Sequence, residues 1–311
     1  MISIQNISKK YGETEALKNI NLEVSAGELF GLIGPDGAGK TTLFRILTTL
    51  LVPNEGKATV NNLDVVKDYK QIRTCVGYMP GKFSLYQDLT VEENLRFFAT
   101  VFNTTIEENY YLIKDIYQQI EPFKNRRAGA LSGGMKQKLA LSCALIHKPT
   151  ILFLDEPTTG VDPVSRKEFW GMLKRLKEQG ITILVSTPYM DEATLCDRIA
   201  LMNNGEMLKI DTPENIIKQF GKKLWAVQSD NMYKLLHDLR ENESIESCFA
   251  FGDTHHITLH AVPSEQWEVE LKAYLAEKGH KQIEIREIKP GIEDCFMEIT
   301  PKSPEGDFKK K

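Results

Sequence analysis

The chain has 311 residues, of which 41% are hydrophobic and 26% charged, and its formal net charge at pH 7 is −4. These values exclude disordered and collagen-like classes, and the negative charge argues against a nucleic-acid-binding protein that neutralises phosphates. No apolar run reaches the roughly 18 residues of a membrane span, and the start lacks a signal-peptide pattern. The five cysteines form no CxxC pair, so we expect a protein of the reducing cytosol.

The first 80 residues predict strands around one glycine-rich loop. Alternating isoleucines from Ile2 onward indicate a strand, and Leu29–Ile33 is a short apolar run typical of a buried strand. This run stops at Gly34. A helix is predicted to follow over Lys40–Leu51.

Residues 84–150 are predicted to form a mostly helical subdomain. Its helices are expected at Val91–Phe102, Asn109–Ile120 and Gly133–Ile146. Two apolar strands, Ile151–Leu154 and Ile181–Ser186, then flank an amphipathic helix over Val164–Gln179. Strands that are apolar throughout and alternate with helices indicate an α/β fold with a mainly parallel sheet, covered on both faces.

The character of the sequence changes after Asp211. The elements predicted next, in the order strand, helix, strand, strand, helix, strand, are Leu224–Gln228, Met232–Glu241, Glu246–Phe251, His256–Ala261, Gln266–Lys278 and Ile283–Ile288. That order fits a small α+β, ferredoxin-like domain. We therefore expect three parts: residues 1–215, a C-terminal domain over 216–298, and a polar tail over 299–311.

A phosphate-binding loop is predicted between the Leu29–Ile33 strand and the helix after it. The segment matches the pattern GxxxxGK[ST], whose glycines let backbone N–H groups approach phosphate oxygens. The helix that follows points its positive N-terminal end at the same anion. The residues assigned to this site are Gly34, Pro35, Asp36, Gly37, Ala38, Gly39, Lys40, Thr41 and Thr42. Lys40 is expected to reach the β- and γ-phosphates, and the Thr41 hydroxyl is expected to coordinate Mg²⁺.

The strand Ile151–Leu154 runs into two carboxylates, Asp155 and Glu156. The carboxyl end of a parallel strand is where an open α/β sheet places its ligand site. Asp155 suits the Mg²⁺ shell, and Glu156 suits the removal of a proton from an attacking water. Paired with the phosphate loop, the two acids favour nucleotide chemistry over a solvated turn.

Between these motifs stand Leu131, Ser132, Gly133 and Gly134, followed by Met-Lys-Gln. This stretch resembles the LSGGQ signature of the ATP-binding cassette (ABC) ATPases, and the likeness extends over about residues 1–215. The segment from Thr158 to Asp162 resembles the family's D-loop. Tyr11 stands where the family places an aromatic side chain that stacks on adenine, the alternative being an ordinary loop tyrosine.

The resemblance implies ATP and Mg²⁺ as cofactors and a head-to-tail dimer of cassettes. Each ATP would lie between the phosphate loop of one cassette and the signature of the other. The stretches Phe83–Asn94 and Gly291–Glu298 resemble those of ABC-2-type exporters. The amino-acid sequences of the phosphate loop and the signature most resemble those of the first cassette in tandem two-cassette exporters. The implied location is cytoplasmic, on the inner face of the cell membrane, through a separate membrane subunit.

Two positions depart from the family pattern. Gly81 stands where members usually have Gln, and Pro188 stands where they usually have His. Proline has neither an imidazole nor a backbone N–H, so we expect an impaired nucleotide half-site and favour a heterodimer with a second cassette over a homodimer. Two alternatives stay open: a non-catalytic ATP-binding regulator, and a soluble ABC ATPase without transport.

Two further groups of residues are given structural roles. His255, His256 and His260 are expected on a solvated strand face rather than around a metal. Trp225 and Trp267 are expected in the core of the small domain rather than in a ligand cage.

Overall fold

Three β-sheets organise the computed structural model, which describes residues 1–264 and 266–300. The chain divides into two compact units, Met1–Pro213 and a second that begins at Glu214. Part of the predicted polar tail, residues 301–311, lies outside the described residues. The strands of the first unit are β1 (Ile2–Tyr11), β2 (Thr14–Val24), β3 (Leu29–Ile33), β4 (Glu55–Val60), β5 (Leu63–Asp64), β6 (Val76–Met79), β7 (Ile151–Asp155), β8 (Thr182–Thr187), β9 (Arg198–Asn203) and β10 (Glu206–Asp211). Its helices are α1 (Lys40–Leu47), α2 (Tyr69–Cys75), α3 (Val91–Val101), α4 (Ile106–Tyr117), α5 (Gly133–Leu145) and α6 (Pro163–Glu178), with short 3₁₀ turns at Glu121–Phe123, Ala128–Ala130 and Met190–Leu195.

The central sheet has the strand order β10-β9-β3-β8-β7-β6. All of its pairs are parallel except β10 with β9. Every residue of β3, β7 and β8 is buried, as expected for parallel strands covered on both faces. The predicted parallel sheet is confirmed. In its register Ile33 pairs with Thr187 and Asp155 pairs with Ser186, so the carboxyl ends of these strands meet at one edge.

A second, antiparallel sheet with the order β2-β1-β4-β5 was not predicted as a separate layer. Its buried side chains share one hydrophobic core with α1 and the central sheet. Phe44 of α1 and Phe153 of β7 meet edge to face there, with ring centroids 5.9 Å apart. This packing holds α1 against the strand that ends in the two acids.

The predicted helix over Lys40–Leu51 is too long, because α1 ends at Leu47. The hydroxyl of Thr48 donates to the Phe44 carbonyl at 2.8 Å. Thr49 then adopts a left-handed backbone with φ of 64°, which an α-helix cannot continue. Leu50 and Leu51 are apolar, but the backbone conformation at Thr49 decides where the helix stops.

The helical stretch that follows carries clear start signals. Both α3 and α4 begin with a capping box, formed by Thr90 with Glu93 and by Thr105 with Glu108. Within residues 1–264 and 266–300, no helix has both the length and the apolar character needed to cross a bilayer.

The second unit is built on a four-stranded antiparallel sheet with the order β12-β13-β11-β14. Its strands are β11 (Leu224–Gln228), β12 (Ile245–Phe251), β13 (Thr254–Leu259) and β14 (Glu284–Ile288). Its helices are α8 (Met232–Glu241), α9 (Trp267–Glu277) and α10 (Ile292–Ile299), preceded at the boundary by α7 (Pro213–Lys218). The order of elements and the strand order are those of a ferredoxin-like unit.

The tryptophan prediction is confirmed. The histidine prediction is wrong for His255 and His256, whereas His260, which follows β13, is exposed as expected. Trp225 and Trp267 are buried in one core with ring centroids 4.9 Å apart. His255 is also buried, and its Nε2 lies 2.7 Å from the Met232 carbonyl oxygen. His256 is half-buried, with its Nδ1 2.7 Å from Asp294 Oδ1. Strand alternation alone could not foresee that helices cover both faces at these positions.

Candidate functional site

The phosphate loop lies at the sheet edge where β3 and β8 end. The Gly34 N–H donates to the Thr187 carbonyl at 3.3 Å, which fixes the start of the loop. Gly37 and Gly39 have φ of 80° and 104°, a region that favours glycine. A Cβ on Gly39 would lie 2.5 Å from the Ala16 carbonyl oxygen, so only glycine fits at this position.

Lys40 is the first residue of α1 and is almost fully buried, at 3% exposure. Its Nζ donates to the carbonyl oxygens of Gly34 at 2.7 Å and Pro35 at 2.9 Å. The same Nζ lies 3.2 Å from Glu156 Oε1. The loop therefore holds a positive charge against its own backbone and against one of the two acids.

Thr41 and Asp155 form the second link between the loop and β7. The Thr41 hydroxyl donates to Asp155 Oδ1 at 3.2 Å, and the Ser186 hydroxyl donates to the same oxygen at 2.7 Å. Asp155 is 3% exposed. A hydroxyl and a carboxylate side by side are the hard oxygen donors that Mg²⁺ prefers, so these residues fit the ion that the sequence predicts.

Glu156 has a left-handed backbone, with φ of 49°. Its N–H points at both the carbonyl and the hydroxyl oxygen of Ser186, at 3.1 and 3.0 Å. A residue with a Cβ pays for this conformation with strain, and such strain concentrates at functional sites. The side chain is 22% exposed, so water can reach the carboxylate while Lys40 holds it.

The signature and the D-loop meet at the start of α6. Ser132 caps α5 and accepts from the Met135 N–H at 3.4 Å. A Cβ on Gly134 would lie 2.9 Å from the Ser165 hydroxyl, so the second glycine lets α5 and α6 approach closely. Hydrogen bonds from the backbone of Ser165 and Val164 to the Asp162 carboxylate hold the pKa of Asp162 below its ordinary value.

Two predicted residues, Leu131 and Tyr11, lie apart from the contacts described above. Leu131 is buried beneath the signature. Tyr11 ends β1 and is 46% exposed, with Lys9 Nζ 5.7 Å from its ring centroid. Among the described residues, the hydrogen bonds and ion pairs join the phosphate loop to the two acids but do not join it to Ser132.

Both departures from the family pattern lie at the same edge of the sheet. Gly81 follows β6, and a Cβ there would lie 3.1 Å from the Asp155 carbonyl oxygen. Pro188 directly follows β8, after the residue that receives the Gly34 N–H. Both positions therefore adjoin the predicted site residues, and neither residue offers a polar side-chain group.

Sequence reasoning missed Ser186, Thr187 and Glu192. The first two are polar residues at the carboxyl end of a buried parallel strand, a signal that could have marked them. No local signal marks Glu192, which is only 2% exposed but stands next to Asp191 in a mixed stretch of polar and apolar residues. Its contacts are visible only in the folded chain.

In this unit a buried strand leads through a glycine-rich loop into a helix, and a neighbouring part of the same sheet has a strand that ends in two acids. This arrangement defines a P-loop nucleotide-binding domain. The family model described as "ABC transporter" matches residues 17–159.

Relatives extend this match to nearly the whole chain. The Nod factor export ATP-binding protein I of Rhizobium sp. (strain N33) is 32% identical over 308 residues, covering 98% of each chain. The linearmycin resistance ATP-binding protein LnrL of Bacillus subtilis is 30% identical, covering 96% of this chain and 98% of its own. The probable multidrug ABC transporter ATP-binding protein YbhF of Escherichia coli is 36% identical across 98% of this chain, which spans only 54% of that longer relative.

Solved structures agree with this assignment. A dimeric ATP-binding cassette in a post-hydrolysis state, bound to ADP and Pi, is 29% identical and covers 68% of this chain and 98% of its own, with a TM-score of 0.62. An ATP-binding subunit of an ABC transporter is 28% identical and covers 71% and 93%, with a TM-score of 0.65. The chain belongs to the ABC transporter family, among its ATP-binding cassettes.

Proposed function

We propose that the chain is the ATP-binding and ATP-hydrolysing subunit of an ABC-2-type export complex. The observation that carries the proposal is the pairing of the phosphate loop with two acids, Lys40 3.2 Å from Glu156 and Thr41 3.2 Å from Asp155. The names of the relatives, which include Nod factor export and linearmycin resistance, support an export role.

The chemistry follows from the residues at the sheet edge. The loop N–H groups and Lys40 bind the phosphates of ATP. Thr41 and Asp155 would hold Mg²⁺, which when bound neutralises charge on the phosphates. Glu156 accepts a proton from the attacking water. Tyr11 stacks on the adenine, and the signature from Leu131 to Gly134 closes over the ATP of a partner cassette.

A separate membrane subunit is the proposed partner, and it places this chain in the cytoplasm on the inner face of the cell membrane. The support is a cleft of about 430 Å³ beside the exporter-like segment Phe83–Asn94. Its lining is largely apolar and includes Met79, Leu85, Phe98 and Phe102. An apolar cleft of this kind suits an amphipathic helix of a partner protein.

The half-site of this chain is proposed to be slow. Gly81 and Pro188 remove the amide and the imidazole that family members usually supply. Losing one positioned group of this kind lowers the rate about 10²–10³-fold. The losses from two groups that act as a unit need not multiply. The phosphate loop is intact, so ATP binding is retained. The same two positions favour the second candidate function, a non-catalytic ATP-binding regulator.

A different cassette is the proposed partner in the dimer. In a head-to-tail dimer, each composite site takes its loop and acids from one chain and its signature from the other. Two copies of this chain would build two slow sites. A pair with an intact second cassette would build one slow site around Lys40 and Glu156 and one fast site around Ser132.

ATP titration tests the phosphate site. The full chain is compared with Lys40→Ala and with Lys272→Ala, a control that removes an exposed lysine of the second unit. We expect Lys40→Ala to lose most ATP affinity while the control keeps it. Equal binding by all three proteins would contradict the site.

Steady-state hydrolysis by the reconstituted pair tests the asymmetry. Ser132→Arg in this chain should abolish most hydrolysis, because it blocks the fast site. Glu156→Gln in this chain should leave most of it, because the site it serves is already slow. The opposite ranking, or brisk hydrolysis by this chain alone, would rule out the scheme, and no single-turnover hydrolysis at all in this half-site would favour the regulator.

A further inference from the structure

A buried carboxylate outside the assigned site, that of Glu192, bonds to two segments that surround the site. Glu192 lies in the 3₁₀ turn Met190–Leu195 and is 2% exposed. Its Oε2 accepts hydrogen bonds from the hydroxyls of Thr158, at 3.1 Å, and Thr187, at 2.5 Å. Both threonines are fully buried. One carboxylate oxygen thus joins the loop after β7 to the end of β8.

The Thr187 contact acts on the phosphate loop. The Thr187 carbonyl receives the Gly34 N–H at 3.3 Å, while its hydroxyl accepts from the Tyr189 N–H at 3.1 Å. These two bonds hold the backbone on either side of Pro188. Glu192 therefore fixes the point from which the phosphate loop starts, at the position where this chain lacks the usual imidazole.

The Thr158 contact acts on Glu156. The left-handed backbone of Glu156 is held on one side by Ser186, which accepts its N–H. On the other side the Thr159 N–H donates to the Glu156 carbonyl at 3.2 Å, and Thr158 between them is tied to Glu192. A strained backbone persists only where its surroundings over-determine it. The bond to Glu192 is one of those constraints.

Arg166 supplies the countercharge that a buried carboxylate requires. Its Nε lies 3.6 Å from Glu192 Oε1, and its guanidinium lies over the Tyr189 ring, 4.1 Å from the centroid. Arg166 belongs to the first turns of α6, just after the D-loop residue Asp162. The cluster therefore joins α6 to the same two segments.

We propose that Glu192 is a positioning residue for ATP hydrolysis. It acts through Thr158 on the backbone that aims the Glu156 carboxylate, and through Thr187 on the start of the phosphate loop. The inference rests on the proposed function, because it takes Glu156 as the group that accepts the proton. It assigns Glu192 no contact with ATP.

The test removes one hydroxyl without changing side-chain volume. Thr158→Val deletes the donor to Glu192, Thr158→Ser keeps it, and Thr194→Val deletes an exposed hydroxyl of the same 3₁₀ turn as a control. Amide hydrogen exchange over residues 155–159, single-turnover hydrolysis and ATP affinity are measured on the full chain. Loss of a hydrogen bond to a charged group predicts about tenfold faster exchange and about tenfold slower hydrolysis in Thr158→Val, with ATP affinity kept within about twofold.

Thr158→Ser and Thr194→Val should behave as the wild type in all three measurements. If the amide hydrogens of residues 155–159 exchange in Thr158→Val at the wild-type rate, the proposal is overturned, whatever the hydrolysis rate. An equal loss of ATP affinity and hydrolysis in Thr158→Val would also overturn it, since that pattern indicates general damage rather than positioning. Failure of the wild-type chain to bind ATP would instead contradict the proposed function.

Discussion

The left-handed backbone of Glu156 leads to a quantitative prediction about stability. Glu156→Gly and Glu156→Ala both remove the carboxylate and its 3.2 Å contact with Lys40, so that loss cancels when the two variants are compared. A φ of 49° costs a residue with a Cβ about 1–2 kcal/mol, whereas glycine adopts it freely. Glycine loses about 0.5–1 kcal/mol more conformational entropy on folding. The glycine variant should therefore be the more stable by about 0.5–1 kcal/mol.

Thermal unfolding of the two variants measures this difference. For a unit of the size of Met1–Pro213, 1 kcal/mol shifts Tm by about 2–4 °C, so Glu156→Gly should melt about 1–4 °C above Glu156→Ala. Hydrolysis should be lost in both variants, because both lack the carboxylate. An alanine variant that melts at the same temperature as the glycine variant, or higher, would refute the claim that strain is stored at this position.

Three further predictions concern other parts of the chain. The double variant Gly81→Gln, Pro188→His should hydrolyse ATP about 10²–10³ faster than the wild type in single turnover, with little change in ATP affinity; an unchanged rate would contradict the impaired half-site. Asp162 has a lowered pKa in the folded chain, so its stabilising effect is complete above its unfolded pKa and is lost as pH falls through the folded value. Acid unfolding of Asp162→Asn should therefore depend less on pH in that range than unfolding of the wild type. Trp267→Ala should destabilise the second unit by about 3–5 kcal/mol in urea unfolding, because it removes the ring that packs against Trp225. ATP binding by the first unit should be retained.

Local pattern was sufficient for the elements that carry the phosphate site. The apolar run Leu29–Ile33, the glycine-rich loop and the helix start at Lys40 agree with the structure, because each depends on residues adjacent in the sequence. The sequence also placed Asp155 and Glu156 correctly at the end of the strand that begins at Ile151. Strand order in the second unit also followed from the sequence of elements, since few topologies suit that order.

Other features depended on neighbours that are distant in the sequence. The left-handed backbone of Glu156 is held by Ser186, thirty residues away, and no local signal marks it. The burial of His255 follows from helices packed on the sheet, not from strand alternation.

The sequence by itself determined that this chain has a phosphate loop, a pair of acids and a signature, because these are short segments whose chemistry is local. Only the tertiary structure decided how they are held. Parallel pairing of β3, β7 and β8 brings Gly34, Asp155 and Thr187 to one edge, and the buried carboxylate of Glu192 bonds to two of the segments there. Hydrogen bonds between residues far apart in the chain form only when the sheet register aligns their partners, and a one-residue slip in register would move every side chain to the opposite face.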